Sequence, residues 1–294
     1  KLLTKSPHYE SPVVEGVKQL MGEKFDPQSI KRIRLGTTVA TNAFLERKGV
    51  PCALVTTLGF RDVLEIRRQN RPALFDLDIK KVGPLYEHVA HVKERISAAG
   101  EIITELDEEI ARFELERLKK LGHTSLAISL MHSTLNPENE IKLGEIAKAV
   151  GFEYVALSHQ VSPVSKYIYR TETTVADAYL TPLLSVYTKE LALSLKGVEI
   201  VYMQSDGGLC SAENLKGQNA LLSGPAGGLV GAVKSGAKRG INKIVPFDMG
   251  GTSTDVAIYD GALNLDNEPK FHGLSLLAPM LDIHTVAAGG GSIL

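Results

Sequence analysis

The stretch PFDMGGTSTDVAIYDG, residues 246–261, sets Asp248 and Asp255 on either side of Gly250-Gly251 and adds hydroxyls from Thr252, Ser253 and Thr254. Ile244, Val245 and Phe247 predict a strand ending at Asp248, and Val256, Ile258 and Tyr259 resume a period of two. The segment reads as a strand–turn–strand hairpin. Glycines can adopt positive φ and let another backbone come close. Amide N–H groups in such a turn can form an anion-binding nest, which the Thr252 hydroxyl can reinforce. Two bare carboxylates would repel a polyphosphate, but a Mg²⁺ ion between carboxylate and phosphate, usually reached through water, resolves the conflict. A plain hairpin whose aspartates cap backbone amides also explains a Gly-Gly turn. Both aspartates together with three hydroxyls favour phosphate. No Walker loop of the form G-x-x-x-x-G-K-[ST] occurs in the chain.

Upstream, LLSGPAGGLVGAVKSGAKRG (221–240) predicts a helix from Gly224 to Arg239, with Gly224, Gly227, Gly228, Gly231, Ala232 and Ser235 along one face. Glycine inside a helix costs about 1 kcal/mol against alanine, so close packing or a ligand must compensate. Farther out, β-branched runs alternate with amphipathic windows, the α/β pattern. Helices are expected after Ser11-Pro12, over 37–49, over 137–150 and over 171–196, the last bent or broken near Pro182. Leu106, Ile110, Phe113, Leu118 and Leu121 suggest one face of a further helix, with Thr104 as its cap. IKRIRLG, PCALVTT, HVAHVKERI, TSLAISLMHS, FEYVALSH, VEIVYMQ and KIVPFD read as strands or extended runs. A boundary near 165–200 gives two α/β lobes, 1–170 and 171–294.

Thirty-three basic and 34 acidic side chains nearly cancel across 294 residues, so no broad field invites nucleic acid or an anionic membrane. Cys52 and Cys210 are the only cysteines; they fit a reducing cytoplasm and argue against a disulfide framework or a zinc site. No apolar run reaches membrane-spanning length and no leader pattern opens the chain. KLLTKSPH and AAGGGSIL read as the ends of an excised piece.

Other residues carry weaker signals. Thr37, Thr38 and Asn42 lie where a strand gives way to a helix, a position for anion or substrate contact, although Thr38 could equally cap the helix. Arg68 and Arg71 flank Asn70, and their guanidinium forks would suit a carboxylate or phosphate, or an ion pair with Asp76. His132 suits acid–base work or a structural role. Ser205 to Gly208 form a strand-end turn that could line a cleft. Asp282 and His284 alternate along one strand face, where they could bind a metal or each other.

A small-residue helix, a linker, an apolar strand and then D-x-G-G-T-x-x-D resembles the second phosphate hairpin of the actin, sugar-kinase and heat-shock-chaperone ATPase superfamily. More narrowly, LGTTVATNAFLERKG (35–49), RQNRP (68–72), LMHSTLNPENE (130–140), YMQSDGGL (202–209), LSGPAGG (222–228), FDMGGTSTDV (247–256) and DIHTVAAGGGSI (282–293) resemble the hydantoinase A/oxoprolinase family, in the family's order. The resemblance implies an α/β fold of two ribonuclease-H-like, actin-like ATPase lobes, here incomplete at both ends, with ATP in the cleft between them. It implies ATP-dependent opening of hydantoins or oxoproline; relatives instead carboxylate ketones, and a non-catalytic ATPase-like binding module is the third reading. Asp248, Gly250, Gly251, Thr252, Ser253 and Asp255 are then expected to contact Mg-nucleotide, with Asp248 and Asp255 toward the metal. Gly224, Gly227 and Gly228 are expected to border the nucleotide, and Thr37, Thr38, Asn42, Arg71 and Ser205 to line the cleft or touch substrate. The implied partners are a small cyclic amide and a B-type subunit, separate or fused, with a homo-oligomer as a further option. The family's first D-x-G-G-T hairpin does not precede KLLTKSPH, so the expected behaviour of this piece alone is weak ATP binding and no turnover.

Overall fold

The computed structural model describes residues 11–22, 25–69, 75–79, 81–251, 253–286 and 288–291; Arg71 and Thr252 therefore lie outside the described residues. Helix α1 (Pro12–Met21) starts at Ser11, whose hydroxyl accepts from the Val14 amide while Pro12 fills a position that needs no amide. Then come β1 (Arg32–Leu35), α2 (Val39–Leu45), β2 (Cys52–Thr57), α3 (Val63–Ile66), β3 (His88–Val92), β4 (Arg95–Ile96) and β5 (Ile102–Thr104). Next are α4 (Glu108–Lys120), β6 (Ser125–Ser129), α5 (Glu138–Val150), β7 (Tyr154–Leu157), α6 (Ser158–Val161), α7 (Tyr167–Ser194), β8 (Glu199–Met203), β9 (Leu209–Cys210) and α8 (Ser223–Ala237). Short strands complete the order: β10 (Lys243–Ile244), β11 (Phe247–Met249), β12 (Thr254–Ala257), β13 (Tyr259–Asp260), β14 (Leu265–Asp266), β15 (Lys270–Phe271), β16 (Leu274–Ser275), β17 (Met280–Leu281) and β18 (Ile283–Val286).

The largest sheet among the described residues is parallel, in the order β3-β2-β6-β7. Every residue of β2 and β6 is buried, which is why both read as nearly continuous apolar runs. Alternate side chains serve opposite faces. Leu54, Ala127 and Ala156 pack with Val175, Ala176 and Leu180 of α7, whereas Ala53, Val55, Leu126 and Ile128 pack with α4 and α5. Helices on both sides of a parallel sheet bear out the α/β class.

Two helix readings need correction. The buried stripe of α4 is Ala111, Leu115 and Leu118, while Ile110, Phe113 and Leu121 are exposed; its cap is Asp107, which accepts from Ile110 N, and Thr104 is paired in β5. Helix α7 is one continuous element of 28 residues, so the chain is not broken at Pro182. Proline removes the donor for the Ala178 carbonyl and crowds the preceding turn. Here the Ser125 hydroxyl donates to Ala178 O at 2.6 Å, and the Val50 amide to Tyr179 O at 3.1 Å. The Ser125 hydroxyl thus stands in for the missing amide, and the Val50 contact ties the next turn of the helix to the segment before β2.

β1 pairs in parallel with β8, and β9 adds to β8 in an antiparallel sense, so a strand from early in the chain joins one from beyond α7. Helix α7 itself runs through residue 170. KIVPFD is not one strand: Pro246 separates β10, which pairs with β13, from β11, which pairs with β12. Strands β11, β12 and β18 form an antiparallel sheet beside α8. Among the described residues no helix is long and apolar enough to cross a membrane.

Candidate nucleotide-phosphate site

The hairpin forms as read, with Phe247 opposite Val256, Asp248 opposite Asp255 and Met249 opposite Thr254. Directly opposed residues share one sheet face, so the two carboxylates are neighbours, an arrangement that destabilises a sheet unless something offsets the repulsion. Asp255 Oδ1 accepts from the Thr285 hydroxyl at 2.6 Å. Neither aspartate forms an ion pair among the described residues, and Asp248 is exposed. A carboxylate pair with no basic partner is a donor set that fits a hard divalent cation.

Helix α8 makes the space beside that pair. A Cβ on Gly228 would lie 3.5 Å from Asp248 Oδ2, so a larger side chain there would crowd the carboxylate. Between helix and hairpin lies a cavity of about 220 Å³, lined by Pro225, Gly228, Leu229, Ala232, Asp248 and Asp255 among others. That volume is below the roughly 300–1,000 Å³ usual for ligand pockets, which suits part of a nucleotide rather than all of it. Two larger cavities, of about 540 and 620 Å³, lie on other surfaces.

The turn is tied in from the far end of the chain. Gly250 N closes the hairpin on Ser253 O at 2.8 Å, Gly290 N donates to Gly250 O at 3.0 Å and Gly291 N to Gly251 O at 2.8 Å. A Cβ on Gly291 would meet Gly251 O at 3.0 Å. Neither Gly250 nor Gly251 has positive φ. Glycine therefore serves close approach of two backbones here, not the left-handed turn that the sequence allowed. Gly250 N is unavailable to an anion, whereas Gly251 N has no partner among the described residues.

Thr37 and Thr38 reach the same helix by another route, with Asn42 behind Thr38. Ser223 Oγ donates to Thr37 O at 2.6 Å and accepts from Thr37 N at 3.2 Å, locking the β1–α2 loop onto the start of α8. Thr38 does not cap α2 with its side chain; Thr37 Oγ1 instead accepts from Val39 N, and Asn42 Nδ2 reaches Thr38 Oγ1 at 3.4 Å. Thr38 Cγ2 lies 3.2 Å from the Cβ position of Gly224. Gly224 and Gly228 are four residues apart, about 6 Å along one helix face. Thr38 and Asp248 therefore flank the same small-residue stripe one turn apart. Gly227 faces Met203 of β8.

Ser205 lies apart from this grouping. It is fully buried, donates to Asn219 O at 2.8 Å and accepts from Leu222 N at 2.9 Å, and so braces the loop that leads into α8. Arg68 lies over the Tyr169 ring at 5.1 Å instead of pairing with Asp76. Asp282 and His284 are exposed and share no hydrogen bond among the described residues. His132 is half-buried with φ 59° and lies in the turn 131–135, where its carbonyl accepts from Leu135 N and Asn136 N.

The sequence reading missed a buried polar network at the carboxyl ends of the parallel strands. Glu140 is completely buried and accepts from Leu130 N, His159 N, His159 Nδ1 and Ser158 Oγ at 2.8–3.0 Å. Burial alone would raise its pKa, but those donors outweigh it and hold the carboxyl below its ordinary value. Glu94, bonded by Thr57 and by Asn139, is shifted upward because burial dominates there. An acid in the first turn of a helix reads as a dipole partner, so nothing local marks Glu140 as buried.

The α/β fold is of the hydantoinase-type, ATPase-like kind that the solved structures named below share. Residues 1–151 match the family described as hydantoinase/oxoprolinase N-terminal region and residues 170–294 the family described as hydantoinase/oxoprolinase. The chain belongs to the hydantoinase/oxoprolinase family. It is 39% identical to a 5-oxoprolinase of Dictyostelium discoideum and 40% identical to that of Saccharomyces cerevisiae, over 99% and 100% of its own length. It spans about a quarter of the length of these relatives (27% and 26%). Among solved structures it resembles the ATP-dependent caprolactamase of Pseudomonas jessenii, with TM-score 0.84 and 28% identity over 98% of this chain and 44% of that one. It also resembles a nucleotide-free acetone carboxylase, with TM-score 0.78 and 27% identity over 87% of this chain and 39% of that one.

Proposed function

We propose that this chain is the nucleotide-binding part of an ATP-dependent cyclic-amide hydrolase acting on oxoproline- or hydantoin-type rings. The observation that carries the reading is the Asp248–Asp255 pair, opposed across the hairpin without a basic partner and opening onto the small-residue face of α8. These two carboxylates would hold Mg²⁺, directly or through water, and the cation would neutralise phosphate charge. Bound ATP would supply the phosphoryl group that turns a poorly electrophilic lactam carbonyl into one with a good leaving group. The protein's part is positioning and charge complementarity. The glycine stripe of α8 admits the phosphates, Gly251 offers an amide, and Thr38 with Asn42 lines the neighbouring end of the stripe. Ser205 holds the loop before α8. Thr252 and Arg71 belong to the same proposal by their place in the sequence motifs.

The cytoplasm is the proposed location, and a B-type subunit, separate or fused, the proposed partner, by analogy with a relative called caprolactamase subunit alpha. The likeness to acetone carboxylase supports a second reading, ATP-dependent carboxylation of a ketone. The identities of 39–41% to three 5-oxoprolinases favour ring opening. ADP release by the full-length protein with its partner separates the two. Release driven by oxoproline or a hydantoin without bicarbonate supports the first, and release that needs a ketone and bicarbonate supports the second. Nucleotide binding without release on any of these substrates would indicate a binding module.

A further inference from the structure

We propose that Glu87, His88 and His123 form a second cation site, for a zinc-type transition metal, at the amino end of the parallel sheet. The sheet order β3-β2-β6 sets the start of β3 and the approach to β6 on either side of β2. From there the His88 and His123 rings meet across Pro51, with Nδ1 of His88 2.8 Å from Nε2 of His123 and the ring planes 69° apart. A carboxylate oxygen of Glu87 completes a set of three ligand atoms that all lie within 4.8 Å of one another. With zinc–ligand bonds of about 2.0–2.1 Å, ligand atoms around a tetrahedral ion stand about 3.3 Å apart. The two nitrogens need to part by roughly half an ångström and the carboxylate to swing inward, movements within the freedom of surface side chains. Glu87 and His88 are exposed and can make them.

Three further observations point to a ligand rather than to an ordinary hydrogen bond. His123 is completely buried, which holds its ring in one place with Nε2 toward His88. Its buried Nδ1 has no hydrogen-bond partner among the described residues, so no structural contact anchors the far side of the ring. Glu87 and His88 also line the cavity of about 540 Å³, together with Arg61, Asp62, Glu114 and Arg117, so a fourth coordination position would open onto space large enough for water or a small ligand. Metal entry would replace the imidazole–imidazole bond. The proton held between the two facing nitrogens would move to the far nitrogen of the ring that carries it, so neither ring need release a net proton. Two imidazoles and one carboxylate suit zinc, cobalt or nickel over Mg²⁺, which prefers oxygen alone. Low cysteine content, which spoke against zinc, does not bear on such a set.

The test uses the full-length protein, stripped with a chelator and held in excess Mg²⁺. Zn²⁺ is titrated against a chromophoric competitor, and Co²⁺ is added separately to read the visible bands of a low-symmetry site. One zinc equivalent per chain is expected at this site. His88→Ala and Glu87→Gln should each weaken it by more than the roughly 10–100-fold that follows loss of a supporting hydrogen bond to a ligand. Asp248→Ala should leave it in place. His123→Ala removes a buried ring and can disturb folding, so the two exposed residues carry the test. Failure of the wild type to take up zinc, or wild-type uptake in His88→Ala, overturns the proposal and leaves a hydrogen-bonded histidine pair.

Discussion

The carboxyl ends of the parallel strands and the β11–β12 hairpin both gather acidic side chains, with opposite outcomes. At the sheet, Glu140 is enclosed and receives four hydrogen bonds, and Arg170, buried beside it, donates to Leu130 O at 2.7 Å. Every residue of β2 and β6 is covered. At the hairpin, the Asp248 side chain has no hydrogen bond or ion pair among the described residues, and Val245, Phe247 and Met249 are 65%, 65% and 54% exposed. Apolar surface of that kind marks a face that other protein or a ligand covers. A buried acid with a full set of donors has nothing left to offer, and its shifted pKa reflects architecture. The unmatched acids beside a groove are the ones with a charge to share.

Several experiments can break or sharpen this contrast. The largest expected effect is on stability: Glu140→Ala leaves buried donors without an acceptor and should cost about 3–5 kcal/mol in chemical denaturation. Asp248→Ala should do the reverse. In the full-length protein, ATP turnover should fall on the order of 10²–10³-fold while the thermal midpoint stays unchanged, because the native side chain has no partner to lose. Wild-type turnover in that variant would remove the hairpin from the site. Ser125→Ala should cost about 1–3 kcal/mol by orphaning the Ala178 carbonyl, and clearly less in a Pro182→Ala background, where residue 182 regains its donor. Equal costs in both backgrounds would show that the hydroxyl does not substitute for the missing amide. Gly228→Leu should raise the KM for ATP by about tenfold by crowding Asp248, whereas Gly231→Leu, with nothing within 4 Å of its Cβ position, should not.

The smallest effect is a pH dependence. The Glu140 pKa is lower in the folded chain than its ordinary 4.5, so its contribution is complete above that value and declines as the pH falls through the folded pKa. Glu94, Glu172 and Asp177 are raised by burial and act in the opposite sense, losing stability as pH rises through their folded values. Urea unfolding at pH 5 and pH 3.5 should therefore show a larger acid loss in the wild type than in Glu140→Gln. A parallel loss in both would assign the acid sensitivity elsewhere.

Legibility in the sequence followed the range of the interactions. β2 and β6 could be read because burial on both faces leaves a nearly continuous apolar run. The hairpin could be read because opposed aspartates, a glycine pair and resumed alternation lie within a few residues. The buried face of α4 was misjudged because Ile110 and Phe113 outweigh Ala111 in hydrophobicity, yet the helix turns alanine inward against the sheet. Pro182 suggested a break, since its remedy, Ser125, comes from a remote segment. Gly290 and Gly291 had no readable role until their amides were seen on the hairpin turn.

From its sequence alone this chain specified an alternating α/β order, its family and a hairpin with carboxylates on both arms, because each depends on neighbours along the backbone. The three-dimensional arrangement alone decided that Thr38 and Asp248 share a face of α8, that Glu140 is enclosed and that a histidine of β3 touches one from the loop before β6. Those outcomes depend on strand order and helix placement, which bring together residues from widely separated segments, and no short-range pattern encodes that.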